Sequence, residues 1–269
     1  MKTQSPVSRR HFLKTTALAA AAMPKSLNAA ADPRPGGDIA AGLVSHWPMD
    51  EGTGKVAKDT ISTNHGVFER GEPEWVEGRI GKGALRFSES CYLNCGKHES
   101  LNMTKAMTFA AWIKKSKDGR KSRIASKHGF VKEQGEDEKN AGWLVLCGGV
   151  QKVNIEWRIS TTGEDWHGGF TTPNSFPYAQ WNHLAVTYDG AVMRAYINGV
   201  EDTGGDFPCK VGGSIHVSSA ETLLGQDRAY GPKFGGPQTW SFTGTMDDAR
   251  LYNRALSAEE VKALVASSR

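Results

Sequence analysis

Five ring-bearing residues stand in stretches that read as loops rather than alternating strands. Trp166 and His167 precede Gly168-Gly169, and Tyr230, Phe234 and Trp240 lie in or beside the Gly- and Pro-rich run 229–237. A ring carried on a loop above a rigid scaffold can stack on a sugar while its polar edge hydrogen-bonds. Rim packing is the alternative for each ring, and Trp166 and Tyr230 have the most loop-like neighbours. A second set carries oxygen: Asp50, Asp59, Asn64 and Asp247. Ca2+ takes about six to eight oxygens from carboxylates, amides and backbone carbonyls, while turn capping accounts equally well for Asp59 and Asn64. Acid–base or nucleophilic cleavage finds less support. Glu133, Glu136, Asp137 and Glu138 cluster in a polar run without strand alternation, and no Gly-x-Ser-x-Gly elbow is present. His183 sits beside small residues on an alternating run, where a structural role is expected.

An antiparallel sheet must position these groups. From Trp181 to Gly199, Leu184, Val186 and Tyr188 fall on one face of a strand and His183, Ala185 and Thr187 on the other. After Asp189-Gly190, Met193, Ala195 and Ile197 line one face of a second strand. Asp-Gly between two such runs predicts a hairpin with a type I′ turn, and Asn198-Gly199 predicts another. Met107 to Lys114 alternates as a further strand, and Trp143–Leu146 pairs with Val153–Ile159 around Gly148-Gly149. Ser160 to Pro177 reads as loop. At the end, Ser257 and Glu260 form a capping box for a short helix whose apolar side is Val261, Leu264 and Val265.

Several segments carry a resemblance. Trp-x-His-x-Ala-Val-Thr-Tyr-Asp-Gly at 181–190, followed by Tyr-Ile-Asn-Gly at 196–199, resembles the laminin G-like, concanavalin A-like domains. So do Asp50-Glu51-Gly52-Thr53-Gly54, the run Gly78–Phe87, and Phe242–Ser257 with its Asp247-Asp248-Ala249-Arg250-Leu251-Tyr252 core. The resemblance extends from Gly42 to Leu264. It implies an all-β fold: an antiparallel two-sheet jelly-roll sandwich with a short C-terminal helix. In such a fold the first and last strands pair, so a Ca2+ ion could bridge Asp247 to the Asp50–Asn64 loop. Strand alternation would then turn Asp248 to the opposite side, beside Arg250. Glycosidases on related sandwiches place Glu-x-Asp-x-x-Glu on one strand, and this chain has no such spacing.

The amino terminus has its own signature. Ser8-Arg9-Arg10-His11-Phe12-Leu13-Lys14, an alanine-rich apolar run and Ala29-Ala30-Ala31 resemble a twin-arginine export signal cleaved before Asp32. This implies a protein exported already folded to the periplasm or beyond. The expected organisation is a signal peptide over 1–31, a linker over 32–41 and one domain over 42–269. The whole chain holds 33 Lys and Arg against 29 Asp and Glu. Lys2, Arg9, Arg10, Lys14 and Lys25 leave with the signal, so 28 basic residues face 29 acidic ones, a net of −1. That balance argues against a nucleic-acid partner. No run approaches the ~18 apolar residues of a membrane span. Cys91, Cys95, Cys147 and Cys209 enter an oxidising space. Cys147 with Cys209 is a conceivable bridge, and buried free thiols are the alternative.

The expected function is a non-catalytic recognition domain for extracellular or cell-envelope carbohydrate, with a structural Ca2+. A protein–protein adhesion module is the second reading. A divergent glycoside hydrolase or polysaccharide lyase is the third.

Overall fold

A computed structural model describes residues 37–88, 91–118, 121–129, 140–148, 153–226 and 241–267. The described strands are β1 (Leu43–Trp47), β2 (Val56–Ala57), β3 (Gly66–Arg70), β4 (Glu74–Val76), β5 (Ala84–Phe87), β6 (Tyr92–Asn94), β7 (Met107–Lys115), β8 (Ser122–His128) and β9 (Ala141–Cys147). They continue as β10 (Ile155–Ile159), β11 (His167–Phe170), β12 (Asn182–Tyr188), β13 (Val192–Ile197), β14 (Val200–Glu201), β15 (Cys209–Lys210), β16 (Leu223–Leu224) and β17 (Gly244–Tyr252), and the helix α1 (Ala258–Ser267) closes the chain.

The strands form two antiparallel sheets. The larger runs β14-β13-β12-β7-β17-β5-β4, with β1 also on β17 and β15 on β13; the smaller runs β11-β10-β9-β8-β16-β6-β3-β2. Period-2 alternation decides which side chains meet between them. Phe109, Ala111 and Ile113 of β7, Leu184, Val186 and Tyr188 of β12, and Trp143, Val145, Ile155, Trp157 and Ile159 of the smaller sheet share one buried core. On the outer face of the larger sheet, Ala110, Ala185, Tyr196 and Tyr252 form a second cluster with Val261 and Leu264 of α1. The helix starts as its sequence predicts: Ser257 Oγ accepts from Glu260 N at 3.2 Å, and Glu260 Oε2 accepts from Ser257 N at 2.8 Å.

Three local expectations are corrected. Only one predicted turn carries left-handed backbone at both central residues: Asn198 at φ 54° and Gly199 at φ 84°, which join β13 to β14. At the other, Gly190 alone is left-handed, and Asp189 Oδ1 accepts from Ala191 N and Val192 N instead, at 2.9 and 2.7 Å. The stretch 160–177 is not all loop, since it contains β11 at the edge of the smaller sheet.

The third correction concerns β17. Asp247 pairs with Trp112 and Arg250 with Ala110, so three steps on β17 match two on β7. This bulge, with Asp248 at φ 52°, breaks the alternation expected over 246–250. Met246 enters the core, while Asp248 accepts from both Nε and Nη2 of Arg250 at 3.2 and 3.0 Å and meets His46 Nε2 at 2.6 Å. Asp247 and Asp248 are both buried. All four cysteines are free, Cys209 half-buried and the others buried.

Candidate functional site

Where β11 forms the edge of the smaller sheet, Glu156 of β10 stands opposite Phe170 and Arg158 opposite Gly168. Ile155, Trp157 and Ile159 occupy the core, so alternation turns Glu156, Arg158 and Phe170 outward. Arg158 donates from Nε to Glu156 Oε1 at 2.9 Å and from Nη1 to Gly168 O at 3.0 Å. Lys121 forms an ion pair with the same Glu156. The Phe170 ring spreads over both cations, 5.3 Å from the Arg158 guanidinium and 5.8 Å from the Lys121 ammonium, yet stays 37% exposed. Asp206 closes the outer edge of β11: its Oδ2 accepts from Phe170 N at 2.9 Å, and its N donates to Phe170 O at 2.8 Å.

At the other end of β11, Trp166 is 36% exposed and meets the His128 ring edge-on at 4.9 Å. His167 Nε2 lies 2.6 Å from Asp165 Oδ2. Burial would raise the Asp165 carboxyl, but donors from Ser160, Thr161 and Thr162 outweigh it and hold the group well below the usual carboxylate range. Asp165 thereby fixes the turn that presents Trp166 and His167. Tyr230, Phe234 and Trp240 lie outside the described residues, as do Glu133, Glu136, Asp137 and Glu138. The described ends of the 227–240 stretch meet over β8: Gln226 Nε2 donates to Ser241 Oγ at 2.5 Å, and Ser126 Oγ donates to Gln226 O at 2.8 Å. Ser126 faces Leu144, which faces Arg158, so this junction and the β10–β11 edge share one transverse row of the sheet.

The oxygen-bearing residues divide into two places. Along one side of β17, β5 pairs with its first half and β1 with its second. In the break between them the 78–83 loop supplies the donors. Asp247 Oδ2 accepts from Arg79 N and Ile80 N at 2.7 and 2.9 Å, and Asp50 Oδ1 accepts from Lys82 N and Gly83 N at 2.5 and 2.8 Å. Asp247 is fully buried, and its Oδ1 has no hydrogen-bond partner. Burial pushes its carboxyl up to about 7 despite the two backbone donors, and the charges of Asp248 and Asp50 add to the rise.

Asp59 and Asn64 belong to a separate turn network. Asp59 Oδ1 accepts from His46 N and Ile61 N at 3.0 and 2.9 Å, and Asn64 Nδ2 donates to Ser45 Oγ and Ser100 Oγ at 3.0 Å each. Among the described residues no group of three or more His, Cys, Asp or Glu side chains is arranged to hold a metal. His183 is 2% exposed beneath the Trp112 ring, its centroid 5.3 Å away, and burial pushes its imidazole down to about 4.

Phe170, Glu156, Arg158 and Lys121 were not legible as site residues. Gly168-Gly169 conceals the strand that carries Phe170, and only the β10–β11 register brings the charged groups beneath it.

Comparison with known proteins gives the chain its relatives. The profile of the concanavalin A-like lectin/glucanases superfamily matches residues 87–262, and that of the twin-arginine translocation signal sequence matches residues 6–23. No curated protein sequence matches. Among solved structures, domain 4 of AbnA, a GH43 extracellular arabinanase from Geobacillus stearothermophilus in complex with arabinotriose, is similar at TM-score 0.58 and 18% identity, over 83% of this chain and 98% of that one. The botulinum neurotoxin serotype D ligand-binding domain in complex with N-acetylneuraminic acid has TM-score 0.58 and 14% identity over 84% of this chain and 51% of that one. The botulinum neurotoxin DC binding domain in complex with rat synaptotagmin II has TM-score 0.59 and 13% identity over 86% and 53%. The chain thus spans about half of each toxin domain and nearly all of the arabinanase domain. No described helix is long and apolar enough to cross a membrane.

Proposed function

Since the chain belongs to the concanavalin A-like lectin/glucanase superfamily and carries a twin-arginine export signal, we propose that it is an exported, non-catalytic domain that binds carbohydrate. One observation carries this reading. The exposed aromatic residues among those described, Trp166 and Phe170, stand at the two ends of β11, beside polar groups already fixed in place by Asp165, Glu156 and Arg158. Pre-positioned rings and hydrogen-bonding groups cost little entropy when a sugar docks. The arabinotriose and N-acetylneuraminic acid held by two structural neighbours support a sugar as the ligand class. The test is affinity electrophoresis of the processed protein through gels containing arabinan, xylan, β-glucan or pectin. At least one polymer should retard the protein, and Phe170→Ala should abolish the retardation without lowering the melting temperature. Retardation unchanged by Phe170→Ala and Trp166→Ala would place the site elsewhere. Release of reducing ends would show an enzyme.

The reading includes a structural Ca2+ held by Asp50 and Asp247. The unpartnered, buried Oδ1 of Asp247 fits a cation, and the charge of Asp50 acts on the same carboxyl. Two carboxylates are few, so backbone carbonyls and water would complete the shell. Asp59 and Asn64 drop out of this ligand set because their polar atoms hold turns. Calcium should raise the melting temperature, and an unchanged one would remove the ion from the reading.

A further inference from the structure

Resting on the carbohydrate reading, we infer that the ligand is an internal stretch of an uncharged glycan chain, at least a trisaccharide, lying along β11 between Trp166 and Phe170. Four residues of extended chain separate these rings by roughly 13 Å, more than a single sugar ring can cover. Each ring reaches back toward an opposite end of β8: Trp166 to His128, its last residue, and Phe170 to Lys121, which immediately precedes it. The strand between them carries Gly168 and Gly169. A Cβ on Gly168 would stand 2.1 Å from Trp157 O, and one on Gly169 would stand 2.3 Å from Asp206 Cβ. Close packing against Trp157, Met193 and Asp206 therefore excludes larger residues at both positions, so neither adds a side chain between the rings.

Polar groups flank that track at intervals. His167 with Asp165 lies at one end, and Arg158 with Glu156 at the other, where sugar hydroxyls can both donate and accept. Charge decides the class of chain. Among the described residues here, Lys121 and Arg158 face Glu156, Asp206 and Asp165, so this edge carries no positive surplus to attract a polyuronate.

The processed protein, titrated calorimetrically with arabino-, xylo- and cello-oligosaccharides from one to six sugars and with polygalacturonate, tests this. In the series that binds, affinity should rise at least tenfold from mono- to trisaccharide, level off beyond it and persist at high salt. Trp166→Ala and Phe170→Ala should each remove most of that rise, with Phe170→Tyr retaining it and so separating loss of stacking from misfolding. A monosaccharide bound as tightly as its hexasaccharide, or a rise lost with only one of the two rings, would overturn the bridging chain and leave the carbohydrate reading standing. Polygalacturonate as the best ligand would overturn the uncharged class alone. Silence across every series would overturn both.

Discussion

His183 should contribute a part of the stability that is lost in mild acid, and the size of that part follows from its burial. Its imidazole lies beneath Trp112 with Nδ1 unpartnered, and burial lowers its pKa from 6.5 to about 4; Asp248 opposes that fall and Arg250 adds to it. A folded pKa below the unfolded one means that the unfolded chain binds the proton more tightly. Stability is therefore full above pH 6.5 and declines as pH falls toward 4. At about 1.4 kcal/mol per pH unit, the loss at pH 5 relative to pH 8 is about 2 kcal/mol. For a domain of this size that is roughly 4–8 °C in Tm. Asp247, pushed up to about 7, titrates in the opposite sense and gains stability over the same interval. Asp59, Asp189, Asp248 and Glu260 are held below their ordinary values, so their contributions are lost only under about pH 4.5. The diagnostic quantity is thus the difference between the unaltered protein and His183→Gln, melted at intervals from pH 8 to pH 5. That difference should shift by about 2 kcal/mol in favour of the variant on acidification, whatever its value at pH 8. Parallel curves would mean that His183 can be protonated in place and would refute the argument from burial.

Calcium at a hundredfold excess over its Kd should stabilise the protein by roughly 2.7 kcal/mol, or about 5–11 °C. Asp247→Asn should abolish that increment in calcium melts, whereas Asp248→Asn should lower the baseline Tm and keep the increment, because Asp248 serves His46 and Arg250. Gly81→Ala forces a side chain to φ 62° and sets its Cβ 2.4 Å from Asp50 Oδ2, so urea unfolding should show a loss of about 2 kcal/mol or more. A loss under ~0.5 kcal/mol would show that the 78–83 loop tolerates repacking. Arg9→Lys with Arg10→Lys should leave unprocessed precursor in the cytoplasm of a host relying on the twin-arginine route, and normal processing on immunoblots would count against that signal.

The sandwich was largely legible because alternation is strict where both faces have fixed surroundings. Leu184, Val186 and Tyr188 enter the core, as their period requires, and His183, Ala185 and Thr187 do not. The helix start was legible because Ser257 and Glu260 are near neighbours in sequence. The β17 bulge was hidden, since Asp248 adopts a left-handed backbone without being glycine; its pairing with Arg250 two residues on was legible, but that with His46, 202 residues away, was not. β11 was hidden for the opposite reason: two glycines erase the alternation that would have marked Phe170. Trp166 and His167 could be named from loop chemistry, but their support by His128 and Asp165 depends on how the turn folds back.

The position of β17 in the larger sheet has a consequence for when the protein can fold during its synthesis. It is bordered by β7 on one side and by β5 and β1 in succession on the other, yet at Gly244–Tyr252 it follows all three in chain order. The strand that joins three others is therefore synthesised after all of them. Until it arrives, β1 and β7 lack a neighbour they will later have, and both offer open edges to other chains. A nascent or prematurely terminated polypeptide cannot complete the larger sheet, however long it waits. For a protein that carries a signal for a translocase of folded cargo, a chain lacking this strand cannot present a completed larger sheet.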